Sequence, residues 1–492
     1  MPARFEERQG DGDGDRAPAA PRRRAAAREP RAYDVAIVGA GPAGIFAALE
    51  LAGAGLDVVI LDKGPDLAHR ACPMQVERCK CRGCTPCAML CGWGGAGAFS
   101  DGKLNLSTRI GGQLAEYTGQ RALAALVDYV DAVFLRFGAP PKVFGTADET
   151  LRDLQRRAAT AELTLVPSRV RHLGTERCRD VLEAMRQELE GRVEIRTRAA
   201  VADVRTANGR VVGLELDNGE GLSARYVILA PGREGAAWFL QVAERLRLSM
   251  RTNPVDIGLR IEVPAVVMEP LTDHLYESKL IYSSKTFDDQ VRTFCMCPYG
   301  EVVVENNQGL MTVNGHSYAD HRTDLTNFAL LVSKTFTQPF REPLTYGRYI
   351  ASLANMLGGA VLVQRLGDLM HGRRTTDKRL KKNMIEPSLP AATPGDLSLV
   401  LPYRHLTSLL EMLQAMDRVV PGVYSRHTLL YGVEVKFYSS RPQLTPALET
   451  QVQNLFAAGD GAGVTRGLVQ ASASGVHAAR EVLRREGKGV HP

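Results

Sequence analysis

Six cysteines, Cys72, Cys79, Cys81, Cys84, Cys87 and Cys91, crowd one short stretch of this 492-residue chain. Four of them, Cys81, Cys84, Cys87 and Cys91, have the C-x2-C-x2-C-x3-C spacing that holds iron–sulfur clusters. Gly92 stands where proline follows the last ligand in such proteins. Four thiolates also suit tetrahedral zinc, and free or redox-active thiols are the third reading of the same spacing. Further along, Ser100, Asp101 and Lys103 close a glycine-rich run, where a lysine can hold a carboxylate. His316 is a candidate general acid. Glu434 and Lys436 are two apart on an expected strand and so share a face, with Arg441 and Arg466 as added positive charge. Cys295 and Cys297 share a face by the same argument.

The elements that must position these groups begin at Asp34. Val35, Ile37 and Val38 read as a short buried strand, and Gly39, Gly41 and Gly44 follow at G-x-G-x-x-G spacing with Pro42 and Ala43 between them. Ile45 to Ala52 has helical composition, and Val58 to Asp62 is a second strand ending in an acid, followed by Lys63. Strand, glycines, helix, strand and acid in that order are a dinucleotide-binding unit. The glycines permit the turn, the approach of a pyrophosphate and close helix packing, while the helix N-terminus faces the phosphates. Gly92-Trp-Gly-Gly-Ala-Gly-Ala-Phe99 is a second glycine loop. Gly95 and Gly97 allow close approach to a ligand, and Trp93 and Phe99 argue for burial. Near the C-terminus, a strand ends in Gly459-Asp460, Gly467 opens a helix, and Ala471 to Gly475 are small enough to lie against a flat ligand.

Composition sets the frame. The length implies more than one domain or a large insertion. A formal charge of +6 with 6% aromatics gives no case for nucleic-acid binding. No apolar run is long enough to span a membrane, and a cytoplasmic location is expected. The expected organisation is a disordered tail at 1–31, rich in Arg, Ala and Pro, then a dinucleotide-binding part at 32–110 containing the cysteines of 72–91. A helical segment at 111–190 follows. A strand meander at 191–250 ends in Ala230-Pro-Gly232, and an inserted α+β substrate or cap domain covers 251–440. The last binding segment is 441–492. The fold class expected is α/β, Rossmann-like.

Gly39-x-Gly-Pro-Ala-Gly44 together with Gly459-Asp460 resembles flavoproteins of the glutathione-reductase-like FAD fold. That resemblance implies FAD, with Asp62 on the AMP ribose, Asp460 on the ribityl chain and the Gly467 helix at the pyrimidine side of the flavin. From Tyr33 to the C-terminus the chain is similar to the FAD-dependent dehydrogenases, or NAD(P)/FAD-dependent oxidoreductases, of bacteria and archaea. The residues that carry this are Cys81-x-x-Cys-x-Pro-Cys87, Gly94 to Leu104, Asp256-Ile-Gly-Leu-Arg-Ile-Glu262, Thr293 to Glu301, Asn314-Gly-His316 and Leu430 to Tyr438. The family implies FAD and a redox reaction but supplies no substrate. No His or Cys stands in a recognised motif for covalent attachment, so FAD is expected to be held non-covalently, and the lysines make a small organic anion the substrate class to expect, with Lys103, Asp101, His316 and Lys436 as candidate catalytic groups near the flavin. One dinucleotide fingerprint leaves NAD(P)H or a ferredoxin-type protein as a transient electron donor. Two alternatives are a flavin reductase fed through the cysteine cluster and a non-enzymatic flavin–thiol sensor.

Overall fold

The computed structural model describes residues 31–489, apart from 74–81, 83, 101, 147, 252, 308, 319–320, 337–341 and 438–439. Cys79, Cys81, Asp101 and Tyr438, and all but the last residue of the 1–31 tail, lie outside the described residues.

Two sheets, each with its own apolar core, make an α/β fold. In the first, the strand Ala32–Val38 lies between Val58–Asp62 and Gly221–Leu229, parallel to both. It is buried on both faces, which is why it reads as a continuous apolar run rather than an alternating one. Glu194–Thr197 extends the sheet beyond Val58–Asp62, and Leu455–Ala457 runs parallel to Gly221–Leu229. Val201–Ala207 and Arg210–Leu216 add an antiparallel meander through the turns seen in the sequence. Val38 is level with Leu61 and Leu229, and Leu229 with Ala457. The C-terminal ends of these parallel strands therefore form one edge, where open α/β sheets bind ligands.

The second sheet is centred on Val255–Pro264, antiparallel to Leu325–Lys334 and Leu429–Lys436. Ile257, Leu259, Ile261 and Val263 face a core shared with helices Ala265–Leu275 and Tyr403–Asp417. The alternate residues Asp256, Arg260 and Glu262 are buried as well, on the opposite face. One face of this sheet is thus apolar and the other charged, and both are covered.

The segment 111–190 carries the expected helices Gln120–Arg136, Asp148–Thr160 and Thr175–Leu189, and two strands that were not expected. Thr164–Val166 joins the edge of the second sheet beside Lys279–Ser283, and Val170–His172 pairs with Lys103–Asn105. Three-residue strands are too short to show a period. Among the described residues no helix is long and apolar enough to cross a membrane.

Candidate flavin and substrate site

Glycines build the strand edge of the first sheet because backbones meet there. A Cβ on Gly39 would lie 2.1 Å from the Ala230 carbonyl oxygen, and one on Gly44 would lie 1.9 Å from the Gly39 oxygen. Gly461 is pressed in the same way on Gly232, 2.2 Å from its oxygen. No side chain caps the N-terminus of the helix Pro42–Leu51, which follows Gly41, so its first N–H groups face outward. The helix Leu468–Arg485 begins after Gly467, also without a side-chain cap. The two helix starts meet at one point: a Cβ on Gly97 would lie 2.7 Å from Leu468 and 3.6 Å from Pro42.

The second glycine loop lies directly on the first. Gly94 donates to the Ala40 carbonyl at 2.7 Å, and Gly95 sits over Gly41. Asp62 ties both loops down, its carboxylate accepting from the backbone N–H groups of Ala40, Gly64 and Gly92, each at 2.8 Å. Asp62 therefore organises the loops, and its carboxylate keeps acceptor capacity beyond these three bonds. Lys63 pairs with Glu234. Ser100 bonds back to the Gly97 carbonyl at 2.8 Å. Trp93 is fully buried and donates to the Leu182 carbonyl. Arg70, itself buried, donates to the carbonyls of Ala88, Met89 and Trp93 and fixes the turn from Cys87 to Cys91. Cys84 is exposed, Cys87 half-buried and Cys91 buried, all as free thiols. Burial pushes the Cys91 thiol up to about 12. Among the described residues no three metal-ligating side chains gather; the fourth member, Cys81, is outside them.

At the C-terminal loop, Asp460 accepts from Thr465 Oγ1 at 2.8 Å and from the Gly467 N–H. Burial raises its pKa, while Arg233, Thr465, Gly467 and Arg466 oppose the shift. Two of the small residues that follow have a packing role. A Cβ on Gly475 would lie 1.9 Å from the Ala43 carbonyl oxygen, and Ser474 Oγ accepts from the Gly459 N–H. Gly475 thus allows the helix Leu468–Arg485 to cross Pro42–Leu51 closely.

Lys103 links this edge to the charged face of the second sheet. Its ammonium donates to the Met296 carbonyl, lies 3.8 Å from Cys297 Sγ and stands 5.7 Å from the Tyr276 ring centre. Tyr276 bonds His172 Nε2 at 3.0 Å and Ser317 Oγ at 3.1 Å. Beyond it lies an ionic cluster. Arg260 Nε is 3.4 Å from Glu434, both side chains being 0% exposed, and Lys436 Nζ is 2.8 Å from the same carboxylate. Burial pulls the Lys436 pKa down, but Glu434 and Glu305 outweigh it and raise the value. Arg260 donates to the Cys295 carbonyl at 2.8 and 3.1 Å. Asp256 takes Arg292 and Ser333.

These contacts pair the charges of the cluster and leave one amide over: among the described residues, Nδ2 and Oδ1 of Asn327 are buried without a hydrogen bond. The packing here is close, since a Cβ on Gly315 would lie 2.2 Å from Asn327 Oδ1 and 2.5 Å from the Arg260 guanidinium. Buried polar groups are nearly always paired, so Asn327 is the exception at this face.

The structure thus brings Lys103 and Lys436 to one sheet face, and Glu434 with Lys436 forms a buried pair rather than a solvent bridge. His316 ends the neighbouring hairpin strand Leu310–His316 with its ring stacked on Tyr318. Arg441 turns away to Glu116. Sequence reasoning missed Arg260, Asn327 and Tyr276 as site residues. The signal for Arg260 was present in Asp256-Ile-Gly-Leu-Arg-Ile-Glu262, where charges recur at period two within an otherwise apolar strand.

Three family models match the chain. Residues 34–72 match FAD dependent oxidoreductase, 254–437 match FAD-dependent protein, C-terminal domain-like, and 394–488 match Glucose inhibited division protein A. Over the first two of these segments the chain is similar to FAD-dependent oxidoreductases. It is 27% identical over 472 residues to an uncharacterized protein of Clostridium beijerinckii, covering 91% of this chain and 80% of that one. Among solved structures it is similar to glycine oxidase from Geobacillus kaustophilus, at 15% identity and a TM-score of 0.40, covering 93% of this chain and 96% of that one. It is similar also to L-proline dehydrogenase from P. horikoshii, at 11% identity and a TM-score of 0.41, covering 94% and 96%. The residues present fit FAD. Two uncapped helix starts and two glycine loops converge at the strand edge, and Asp62 and Asp460 stand at opposite ends of it.

Proposed function

We propose that this FAD-dependent oxidoreductase moves a hydride or electrons between its flavin and a small organic anion held on the charged face of the second sheet. The observation that carries the reading is a buried cluster of charge, Arg260, Glu434 and Lys436, beside Lys103 and the buried amide of Asn327, which has no hydrogen-bond partner among the described residues. FAD, when bound, supplies the two-electron chemistry, and the protein supplies orientation and electrostatics. Residues 39–44, 62–63, 95–100, 232, 459–460 and 467 would hold it.

In this reading residues 251–440 act as the cap and substrate unit. Lys103 belongs to the segment that leaves the second glycine loop, so its ammonium is the cation that presents a substrate carboxylate to the flavin edge. Lys436 and Arg260 add positive charge, and Asn327 offers both a donor and an acceptor to a neutral polar group of the substrate. Glu434 is positioned to take a proton from a substrate hydroxyl or amine and to hold it at a carboxylate oxygen. Because the cluster is closed to water, each of these contacts counts for more than it would at a surface. His316 and Asp101 remain candidates for proton transfer. A nicotinamide or a ferredoxin-type donor would exchange electrons by transient contact.

The test is anaerobic flavin reduction by a panel of small carboxylates and organic phosphates, with wild type, Lys103→Met and Lys436→Met. The reading expects at least one anion to reduce wild-type flavin, and both variants to keep FAD while losing that reduction. Reduction only by neutral compounds, unaffected in both variants, would place the substrate elsewhere.

A further inference from the structure

Cys295 and Cys297 take no part in the reading above, yet the backbone that carries them is built unlike the rest of its strand. Gln290–Cys297 pairs regularly with Leu325–Lys334 until the register slips between Phe294 and Cys297. Cys295 lies at the slip with φ of 43°, a left-handed conformation that a residue with a side chain adopts only when its surroundings enforce it. Here the enforcement is visible, since the fully buried Arg260 clamps the Cys295 carbonyl with two hydrogen bonds. Cysteines at i and i+2 of a regular strand point the same way but stand apart by two residue rises. The slip closes that gap: the two thiols are within side-chain hydrogen-bonding reach, and Cys297 Sγ also lies 3.6 Å from the Cys295 carbonyl oxygen. Both are free thiols, Cys297 buried and Cys295 partly open. Lys103 Nζ is 3.8 Å from Cys297 Sγ, so the pair sits on the same ammonium that the second glycine loop delivers.

We infer that Cys295 and Cys297 are a redox-active dithiol that exchanges an electron pair with the bound flavin. The inference rests on the reading that Lys103 marks the flavin edge of the charged face. In the oxidising direction the two S–H bonds break and one S–S bond forms. The thiols release two protons and two electrons, and oxidised FAD takes up both to become its reduced, doubly protonated form. The reverse step cleaves the disulfide and returns FAD to the oxidised state. The hydrogen bond to Cys295 and burial push the Cys297 thiol up, while Lys103 and Arg260 pull it down as a thiolate forms. Cys295, the more open sulfur, is the one that an external small disulfide or thiol would meet.

The experiment counts electrons and maps the bond. Holoenzyme is oxidised with ferricyanide, freed of oxidant, and titrated anaerobically with dithionite, beside Cys297→Ser and Cys295→Ser. Wild type should consume one electron pair per FAD more than either variant. Non-reducing peptide mapping of oxidised wild type, and of diamide-treated apoprotein, should show the peptide bearing both cysteines lighter by two hydrogens. Equal uptake in all three proteins, or an unlinked peptide, overturns the inference. Cys295→Ala and flavin content serve as the check if a serine variant is unstable. The substrate reading fails separately, through the lysine variants, and neither the electron count nor the mapped bond depends on it.

Discussion

The glycine edge of the first sheet and the charged face of the second solve opposite problems. At the edge, specificity lies in what is missing. Gly39, Gly44, Gly461 and Gly475 each sit where a Cβ would lie about 2 Å from a carbonyl oxygen, so only bare backbone fits. On the charged face, specificity lies in what is present, with Arg260, Glu434, Lys436 and Asp256 buried inside a protein that gains nothing from burying isolated charge. The first region binds by shape, through N–H groups and helix ends. The second holds charges whose desolvation is only partly offset by their neighbours, a condition proteins retain where a ligand completes the set. The lesson is that the glycine edge resists any added atom, while the charged face, the proposed substrate site, should tolerate isosteric exchange and respond to loss of charge.

The largest effect should come from violating the first rule. Gly475→Leu and Gly44→Val place a Cβ 1.9 Å from a neighbouring carbonyl oxygen, where backbone must move, so the cost should exceed both that of ordinary overpacking, about 1–3 kcal/mol, and that of the ion pair below. Neither variant should yield flavin-loaded protein. Gly315→Ala is the matched probe on the other side, because its Cβ meets the side chains of Asn327 and Arg260 rather than backbone. It should keep FAD and lose substrate. Equal FAD content in all three variants would erase the distinction.

Next in size is the buried ion pair. Arg260→Met leaves the fully buried Glu434 with Lys436 in place of two cations, and breaking a buried pair costs up to about 3–5 kcal/mol. The triple variant Arg260→Met, Glu434→Leu, Lys436→Met should recover much of this, since it leaves none of the three charges buried alone and a well-packed apolar replacement is often neutral. Urea unfolding of the single and triple variants measures the recovery. A single variant as stable as wild type would mean that the cluster is not held as described.

The apolar face of the same sheet offers a third comparison. His405 is 3% exposed, and neither ring nitrogen has a partner among the described residues. Burial, with Lys334 and Arg404 adding to it, lowers its pKa to about 4. The folded state therefore binds the proton less readily than the unfolded chain does. Stability is complete above the unfolded value of about 6.5 and falls as pH drops toward 4, by up to roughly 3 kcal/mol in total. His405→Phe should flatten that part of the stability profile. An unchanged slope between these pH values would show the imidazole to be protonated in the fold or exposed.

The smallest effect is on binding. Lys103→Met removes one charge-assisted hydrogen bond, worth about 1.5–3 kcal/mol, or roughly a tenfold to hundredfold loss of substrate affinity. Folding and FAD content should not change.

What could be read from the sequence divides along the same line. The dinucleotide unit was legible because its demands are local: three glycines, a helix start and an acid sit within one strand–helix–strand unit. Glu434 and Lys436 were legible as a pair by strand period, but their burial was not, since it depends on strands that are distant in the chain. Arg260 and Glu434 meet only through antiparallel registry, and Asn327 enters from a third strand. The packing role of Gly475 was not legible, because smallness suits a helix crossing as well as a flat ligand. The two short strands at Thr164–Val166 and Val170–His172 left no periodic trace, although the second supports Lys103.

The central claim is that the Lys103 ammonium stands at the flavin and makes the charged face an anion site. Sulfite tests it without knowledge of the substrate, because this anion adds to oxidised flavin more tightly when a cation is close by. Titration of holoenzyme should bleach the oxidised-flavin absorbance of wild type, and Lys103→Met, with the same FAD content, should need at least about tenfold more sulfite, as expected for the loss of one charge-assisted contact. Equal sulfite affinity in the two proteins would contradict the placement of Lys103 and the substrate site built on it.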